Sequence, residues 1–138
     1  MALTTLDPKT ALVVIDLQNA VVALPGTPLT TADVVARSVE LADAFRAKQL
    51  PVVLVRVETT PADSLPGRTE SPRRATSIGV ESSARAAYEH GYNVTLATDA
   101  MTDLNEDAHK NSLTWIFPRL GESGTTAEVL ELLAKTHS

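Results

Sequence analysis

The sequence predicts an α/β fold built around a parallel sheet. Two apolar runs, Ala11–Leu17 and Val52–Val57, flank a segment with helical periodicity, and a third run, Tyr92–Ala97, follows another helical segment. Continuous apolar runs are typical of strands that are buried on both faces of a parallel sheet. Strands that alternate with helices indicate βαβ units, whose crossovers are right-handed.

The elements of the first half follow from local signals. After the first strand, Ala20–Leu29 contains two prolines and a glycine, which predict a loop. The hydroxyl side chain of Thr30 and the acid Asp33 resemble a helix N-terminus. That helix continues to about Lys48, and Pro51 ends it before the second strand.

The second half contains clear helix signals. A helix is expected over Val80–His90, with Gly91 as its C-terminal stop. Another helix is predicted over Asn105–Phe117. The pattern Thr125–Glu128 is a capping box that opens a final helix, which we expect to end near Leu133.

The segment Thr59–Ala75 differs from both halves. It contains three prolines, a glycine and the pair Arg73-Arg74, with few large apolar residues, and it is predicted to be a loop. Only three strands are predicted, whereas sheets usually have about four to six. The loop lies where a further βαβ unit could fit.

The length and composition limit the function. The 138 residues predict one domain, 1–138, and the net charge of −5 argues against nucleic-acid partners. No apolar stretch reaches the ~20 residues that span a bilayer, and residues 1–9 do not resemble a signal peptide. We therefore expect a cytoplasmic protein. The absence of cysteine excludes disulfides, thiolate metal sites and a cysteine nucleophile.

Asp16 is the candidate catalytic residue. It follows the first strand, and ligands of parallel sheets bind beyond the carboxyl ends of the strands. A carboxylate there can act as a general acid–base, or it can accept hydrogen bonds from loop amides. Gln18 can orient Asp16 or contact a substrate, and its alternative role is to bond the loop backbone.

A second candidate site is the short segment Thr76, Ser77, Ile78 and Gly79. Small residues that enter a helix can present backbone N–H groups to an anion or oxyanion, although an ordinary helix start has the same pattern. The three histidines have no metal-ligand spacing, so neither a metal nor a cofactor is predicted. His109 is expected on a helix surface or at an interface, and Trp115 and Phe117 in a core or an interface.

Several segments together carry a family likeness. They are Ala11–Asn19, Ala75–Val94, Asp99–Asp103, His109 and Ile116–Glu122. The combination resembles the isochorismatase-like, or cysteine hydrolase, superfamily. The resemblance implies a three-layer α/β/α fold, Rossmann-like, with a parallel sheet. It also implies a triad of aspartate, lysine and cysteine.

The chain departs from this triad. Asp16 matches the aspartate, Gly79 stands in the cysteine position, and no residue matches the lysine. In the family, a glycine can occupy that position in enzymes that cleave a vinyl ether without a thiol. The resemblance also implies that two strands, roughly 40–60 residues, are absent at the junction Arg74-Ala75. The lost fourth strand would lie beside strand one, in the centre of the sheet.

These observations leave two main hypotheses. The first is an isochorismatase-family hydrolase of a small metabolite, in which Asp16 is the acid–base group and Gln18 with Thr76–Gly79 binds the substrate. The second is a shortened, inactive relative that serves as a binding or oligomerisation module. A homo-oligomer is expected, because a gap in the sheet leaves unpaired edges. A flavodoxin-like binding domain is a third option, but no glycine-rich phosphate loop follows the first strand.

Overall fold

The fold contains two pairs of parallel strands. The computed structural model describes residues 2–56 and 75–137. Strand β1 (Leu12–Ile15) pairs with β2 (Val52–Val55), and β3 (Val94–Ala97) pairs with β4 (Gly121–Gly124). The predicted α/β fold is confirmed. The expectation of only three strands is wrong, because β4 has the sequence Gly-Glu-Ser-Gly and lacks the apolar run by which strands are recognised.

In the described ranges, five α-helices lie between and after these strands. They are α1 (Asn19–Val22), α2 (Thr31–Ala47), α3 (Glu81–Glu89), α4 (Glu106–Asn111) and α5 (Thr126–Thr136). Helix α1 overlaps the start of Ala20–Leu29, the segment predicted to be a loop. The predicted loop 59–75 lies outside the described residues, except for Ala75.

The predicted capping residues are found at the helix ends. The Thr30 hydroxyl accepts a hydrogen bond from the Asp33 amide at 3.1 Å, and Thr125 forms the predicted capping box with Glu128. Gly91 adopts a φ of 82°, which a residue without a Cβ tolerates best. Helix α4 does not run on regularly, because a π-helical turn occupies Ser112–Ile116.

Two apolar cores give the fold its three layers. One core joins α2 and α5 on one side of the strands and contains Leu6, Leu41, Phe45, Val129 and Leu133. The other core packs α3 and the segment after α4 on the opposite side and contains Ala84, Leu96, Met101, Phe117 and Leu120. Helices therefore cover both sides of the strand layer, as expected for a three-layer α/β/α fold.

Strands β1 and β3 point in the same direction and face each other across a gap. At their beginnings, the Asn93 side chain donates to Asp7 at 2.9 Å. At their ends, Thr76 binds the segment after β3 and Gly79 contacts Asp16. Between the strands lies a cavity of about 930 Å³, which we call the inter-strand cavity and which β1 and β3 line along their full length. In the described part of the chain, the two pairs form separate sheets.

The first strand pair is unusually exposed. Val13 is 48% exposed, Val53 45% and Leu54 69%, although the apolar sequence predicts strands buried on both faces. Trp115 is also 65% exposed and belongs to neither of the two cores that the described residues form, whereas Phe117 is fully buried. The exposed surface on β1 and β2 means that the residues of the described ranges do not cover this sheet.

Candidate active site

Asp16 is buried and has an unusual backbone conformation. Its φ is 61°, in the left-handed region, and the residue is only 6% exposed. The Asp16 amide donates to the Val55 carbonyl at 2.8 Å, and its carbonyl accepts from the Gln18 amide at 2.9 Å. A non-glycine residue in this region costs up to about 1–3 kcal/mol, and such residues cluster at functional sites. The strand end therefore aims the carboxylate of Asp16 away from the path of the strand.

Gly79 lies directly against the Asp16 carboxylate. A Cβ on residue 79 would be 2.6 Å from Asp16 Oδ2 and 3.5 Å from Ile15 Cγ2. The first distance is shorter than any ordinary contact, so any side chain at position 79 must displace the carboxylate. The structure thus brings together two candidate residues that lie 63 positions apart in the sequence.

The backbone amides of Thr76–Gly79 are directed at protein acceptors. Ile78 and Gly79 donate to the Ala75 carbonyl at 3.1 and 3.0 Å, and Ser77 donates to Asp103 Oδ2 at 2.8 Å. The Thr76 amide donates to the Thr102 carbonyl at 3.0 Å. An anion would have to compete with these acceptors, so the proposed anion-binding role of this segment remains a prediction.

Gln18 contributes to the site through its backbone. Its carbonyl accepts from the amides of Val21 and Val22 at 2.8 and 3.0 Å, which begins α1. The Gln18 side chain makes no capping hydrogen bond to that helix. Its contact with a substrate remains a prediction.

Asp103 is an important residue of the site that the sequence reasoning assigned no role. It is 5% exposed, and its carboxylate accepts from the amides of Ser77, Leu104 and Asn105 at 2.8, 2.8 and 3.1 Å. One carboxylate thus orients both the Thr76–Gly79 segment and the start of α4. The available signal was an aspartate two residues before the helix cap Asn105, a position where such a side chain bonds local amides.

His109 lies in the same network and not on a helix surface, so that expectation is wrong. The residue is 3% exposed because α4 packs against the Thr76 segment, and its Nδ1 lies 3.1 Å from Thr76 Oγ1. The Thr76 hydroxyl donates to the Thr102 carbonyl at 2.8 Å, so His109 Nδ1 must carry the proton. Burial lowers the pKa of His109, and the negative charge of Asp103 opposes this effect.

The loop before α2 is tied to the same segment. Thr27 and Asp103 exchange backbone hydrogen bonds of 2.8 and 3.0 Å, and Thr102 Oγ1 donates to the Leu29 carbonyl at 2.6 Å. Leu24 and Pro25 from this loop line the inter-strand cavity near Asp16. The site is thus built from the ends of β1 and β3, the Thr76 segment and this loop.

The described residues contain neither a metal-binding cluster nor a helix that could span a membrane. Residues 2–56 and 75–137 contain no group of three His, Asp or Glu side chains arranged to hold a metal ion. None of the described helices is both long enough and apolar enough to cross a membrane.

Comparisons with known proteins agree with this architecture. The family model of the isochorismatase domain matches the chain in two parts, residues 10–75 and 74–128. An uncharacterised isochorismatase family protein of Escherichia coli O157:H7, YecD, is 33% identical over 180 aligned positions, which cover 90% of this chain and 96% of YecD. A Bacillus subtilis relative, YwoC, is 51% identical over 57 residues, covering 41% of this chain and 30% of YwoC.

Solved structures give the same result. An isochorismatase family protein from Burkholderia thailandensis superposes with a TM-score of 0.85 at 34% identity, covering 94% of this chain and 98% of that one. A putative hydrolase of the family from Chromobacterium violaceum has a TM-score of 0.73 at 20% identity, with 98% of each chain covered, and shares the fold. The family model and the relatives that are at least 33% identical over most of this chain identify an isochorismatase-like protein. The chain belongs to the isochorismatase family.

Proposed function

We propose that the protein is a hydrolase of a small carboxylate or related metabolite that works without a cysteine nucleophile. The observation that supports this function best is the buried carboxylate of Asp16, held in a left-handed conformation against Gly79. The carboxylate occupies the space that a side chain at position 79 would take, and the chain contains no cysteine. Asp16 would act as the acid–base group, and the inter-strand cavity beside it would receive the substrate.

Hydrolysis of a vinyl ether illustrates a reaction that needs no thiol. The carboxyl group of Asp16 protonates the terminal vinyl carbon, and water adds to the resulting oxocarbenium carbon. The water proton returns to the Asp16 carboxylate. The hemiketal then breaks into a ketone and an alcohol, so that one water molecule is consumed and no covalent enzyme intermediate forms.

The test is turnover of a panel of small vinyl ethers, esters and amides that carry a carboxylate. Wild-type protein should hydrolyse at least one member, and Asp16→Asn and Asp16→Ala should abolish that hydrolysis. The matched control is Asp43→Asn, which changes an exposed aspartate of α2 in the same way. Hydrolysis that persists in Asp16→Ala would remove Asp16 from the mechanism.

The open sheet favours a second candidate function, a catalytically inactive binding or oligomerisation module. In the described ranges, β1 and β3 are not paired with each other, and no lysine lines the carboxyl end of the cavity. The aligned region shared with YecD spans 180 positions, whereas this chain has 138 residues. The family model also breaks at residues 74–75. These facts support an internal deletion at the junction Arg74-Ala75.

The two candidate functions predict different experimental results. A module of this kind would show no turnover on the panel, and its exposed β1–β2 surface would promote a homo-oligomer whose mass light scattering can determine. A monomer with Asp16-dependent turnover would contradict the module. We further propose a cytoplasmic protein whose partner is a small molecule and not a nucleic acid or a membrane.

A further inference from the structure

The edge of β1 that faces the inter-strand cavity carries backbone groups at every second residue. The Leu12 amide donates to the Pro51 carbonyl at 2.9 Å and the Asp16 amide to Val55 at 2.8 Å, both in the direction of β2. In a parallel ladder, the residues between them direct their N–H and C=O groups to the other side. Val13 and Ile15 therefore point these groups at the cavity.

Strand β3 presents a matching edge from the opposite side. The Thr98 amide donates to the Gly124 carbonyl at 2.8 Å, which fixes the alternation along β3. Thr95 thus directs its N–H and C=O groups, and Ala97 its N–H group, away from β4 and toward the cavity, which both residues line. The Ala97 carbonyl already accepts from the Ala100 amide at 3.1 Å. Two sheet edges that require backbone partners therefore face each other.

The floor and ceiling of the cavity are apolar. Leu41 and Phe45 of α2 line it on one side, and Val80, Ala84 and Ala87 line it on the other. The side chains of an occupant would alternate between these two apolar layers. The occupant that fits has a continuous apolar sequence, as strands buried on both faces do.

The volume of the cavity agrees with one strand. A five-residue strand, at ~3.3 Å per residue, ~4.8 Å between strands and a layer thickness of ~10 Å, occupies about 800 Å³. The inter-strand cavity measures about 930 Å³. An apolar small molecule would fill this volume but would leave the backbone groups of both edges without partners, which is costly in a buried site.

We propose that the inter-strand cavity binds an extended, apolar segment of another polypeptide, which completes the sheet between β1 and β3. The segment cannot belong to another intact sheet, because both of its edges pair with the walls of the cavity. This excludes insertion of a folded second copy through its own paired strands. The inference goes beyond hydrolysis and rests on the second candidate function, a binding module.

The test is a synthetic heptapeptide with blocked ends that copies residues 10–16, Thr-Ala-Leu-Val-Val-Ile-Asp. The control peptide carries N-methyl groups on its two valines, which removes one backbone donor toward each edge but retains the apolar side chains. Calorimetry should show binding of the first peptide and at least about tenfold weaker binding of the second. Hydrogen exchange should show new protection at the amides of Val13, Ile15, Thr95 and Ala97.

Protein variants locate the binding. Ala97→Pro removes an amide that points into the cavity and leaves the β3–β4 ladder intact. It should therefore lower the affinity for the peptide at least about tenfold. Ile15→Pro tests the opposite edge if the first variant does not fold. Asp43→Asn, at an exposed residue outside the cavity, should bind the peptide as the wild type does. Because peptide binding is measured without turnover, a failure of hydrolysis is distinguishable from a failure of this proposal. Absence of peptide binding, or equal binding of both peptides, would overturn it.

Discussion

Oδ2 of Asp16 lies 2.6 Å from the point that a Cβ on residue 79 would occupy. The carboxylate and a side chain at position 79 therefore compete for the same space. The carboxylate can take its observed position because residue 79 has no side chain. The two residues form one unit, in which a substitution at one site changes the cost of a substitution at the other.

Gly79→Ala should destabilise the protein by up to about 1 kcal/mol, because the added methyl group displaces the end of the Asp16 side chain, which can move, from its buried position. Urea unfolding measures this cost. In an Asp16→Ala background the same substitution should cost much less, since the competing atoms are gone. Additive costs for the two changes would show that residues 16 and 79 do not interact.

Asp103→Asn should destabilise the protein by about 1–3 kcal/mol. The amide side chain offers one acceptor oxygen in place of two, so at least one of the amides of Ser77, Leu104 and Asn105 loses its partner. Hydrogen exchange at Ser77 should accelerate along with the loss of stability. Asp107→Asn, an exposed aspartate in the same region, serves as the control and should leave that exchange rate unchanged.

The stability of the protein should depend on the protonation of His109. Burial lowers the pKa of His109 below its ordinary value of 6.5, so the unfolded chain binds the proton more readily than the folded one. The stabilisation is complete above pH 6.5 and is lost as the pH falls through the lowered pKa. The slope contributed by one proton is at most about 1.4 kcal/mol per pH unit.

His109→Gln should flatten this part of the pH dependence, because glutamine can donate to Thr76 but does not titrate. Urea unfolding at a series of pH values below 6.5 measures the slope for each protein. His90→Gln, a change at an exposed histidine, is the control. Identical slopes for wild type and His109→Gln would contradict the assignment.

Gly26→Ala should disturb the loop that lines the site. The new Cβ would be 2.5 Å from the Leu29 carbonyl oxygen and 2.7 Å from Thr102 Cγ2, and the carbonyl belongs to the backbone. We expect a loss of about 1–3 kcal/mol and faster hydrogen exchange at Thr27. Gly91→Ala is the comparison: its Cβ meets nothing within 4 Å, but its φ of 82° is unfavourable. It should cost about 1 kcal/mol and leave the Thr27 amide unaffected.

Local signals predicted the elements that are defined by neighbouring residues. The cap at Thr30, the capping box at Thr125 and the turn at Gly91 depend on side chains and backbone within one turn, so the sequence is sufficient to identify them. Strand β4 and helix α1 were missed. Pairing with β3 stabilises Gly-Glu-Ser-Gly as a strand, and this sequence contains no apolar pattern that predicts the pairing.

Only the part of the site that depends on local sequence signals was predicted. The position of Asp16 at the end of an apolar strand made it a candidate, and the resemblance placed Gly79 in the nucleophile position. Asp103 and His109 could not be assigned their places from the sequence. Their importance comes from hydrogen bonds to Ser77 and Thr76, residues more than 25 positions away.

The sequence by itself determined the family, the α/β class and the residue at the end of the first strand, because those features lie in contiguous patterns. Only the tertiary structure decided how the two halves meet. It placed Gly79 against Asp16, enclosed His109 and left β1 and β3 facing each other across a cavity of about 930 Å³. Backbone hydrogen bonding between strands depends on which edges come together, and this cannot be read from the residues of either edge alone.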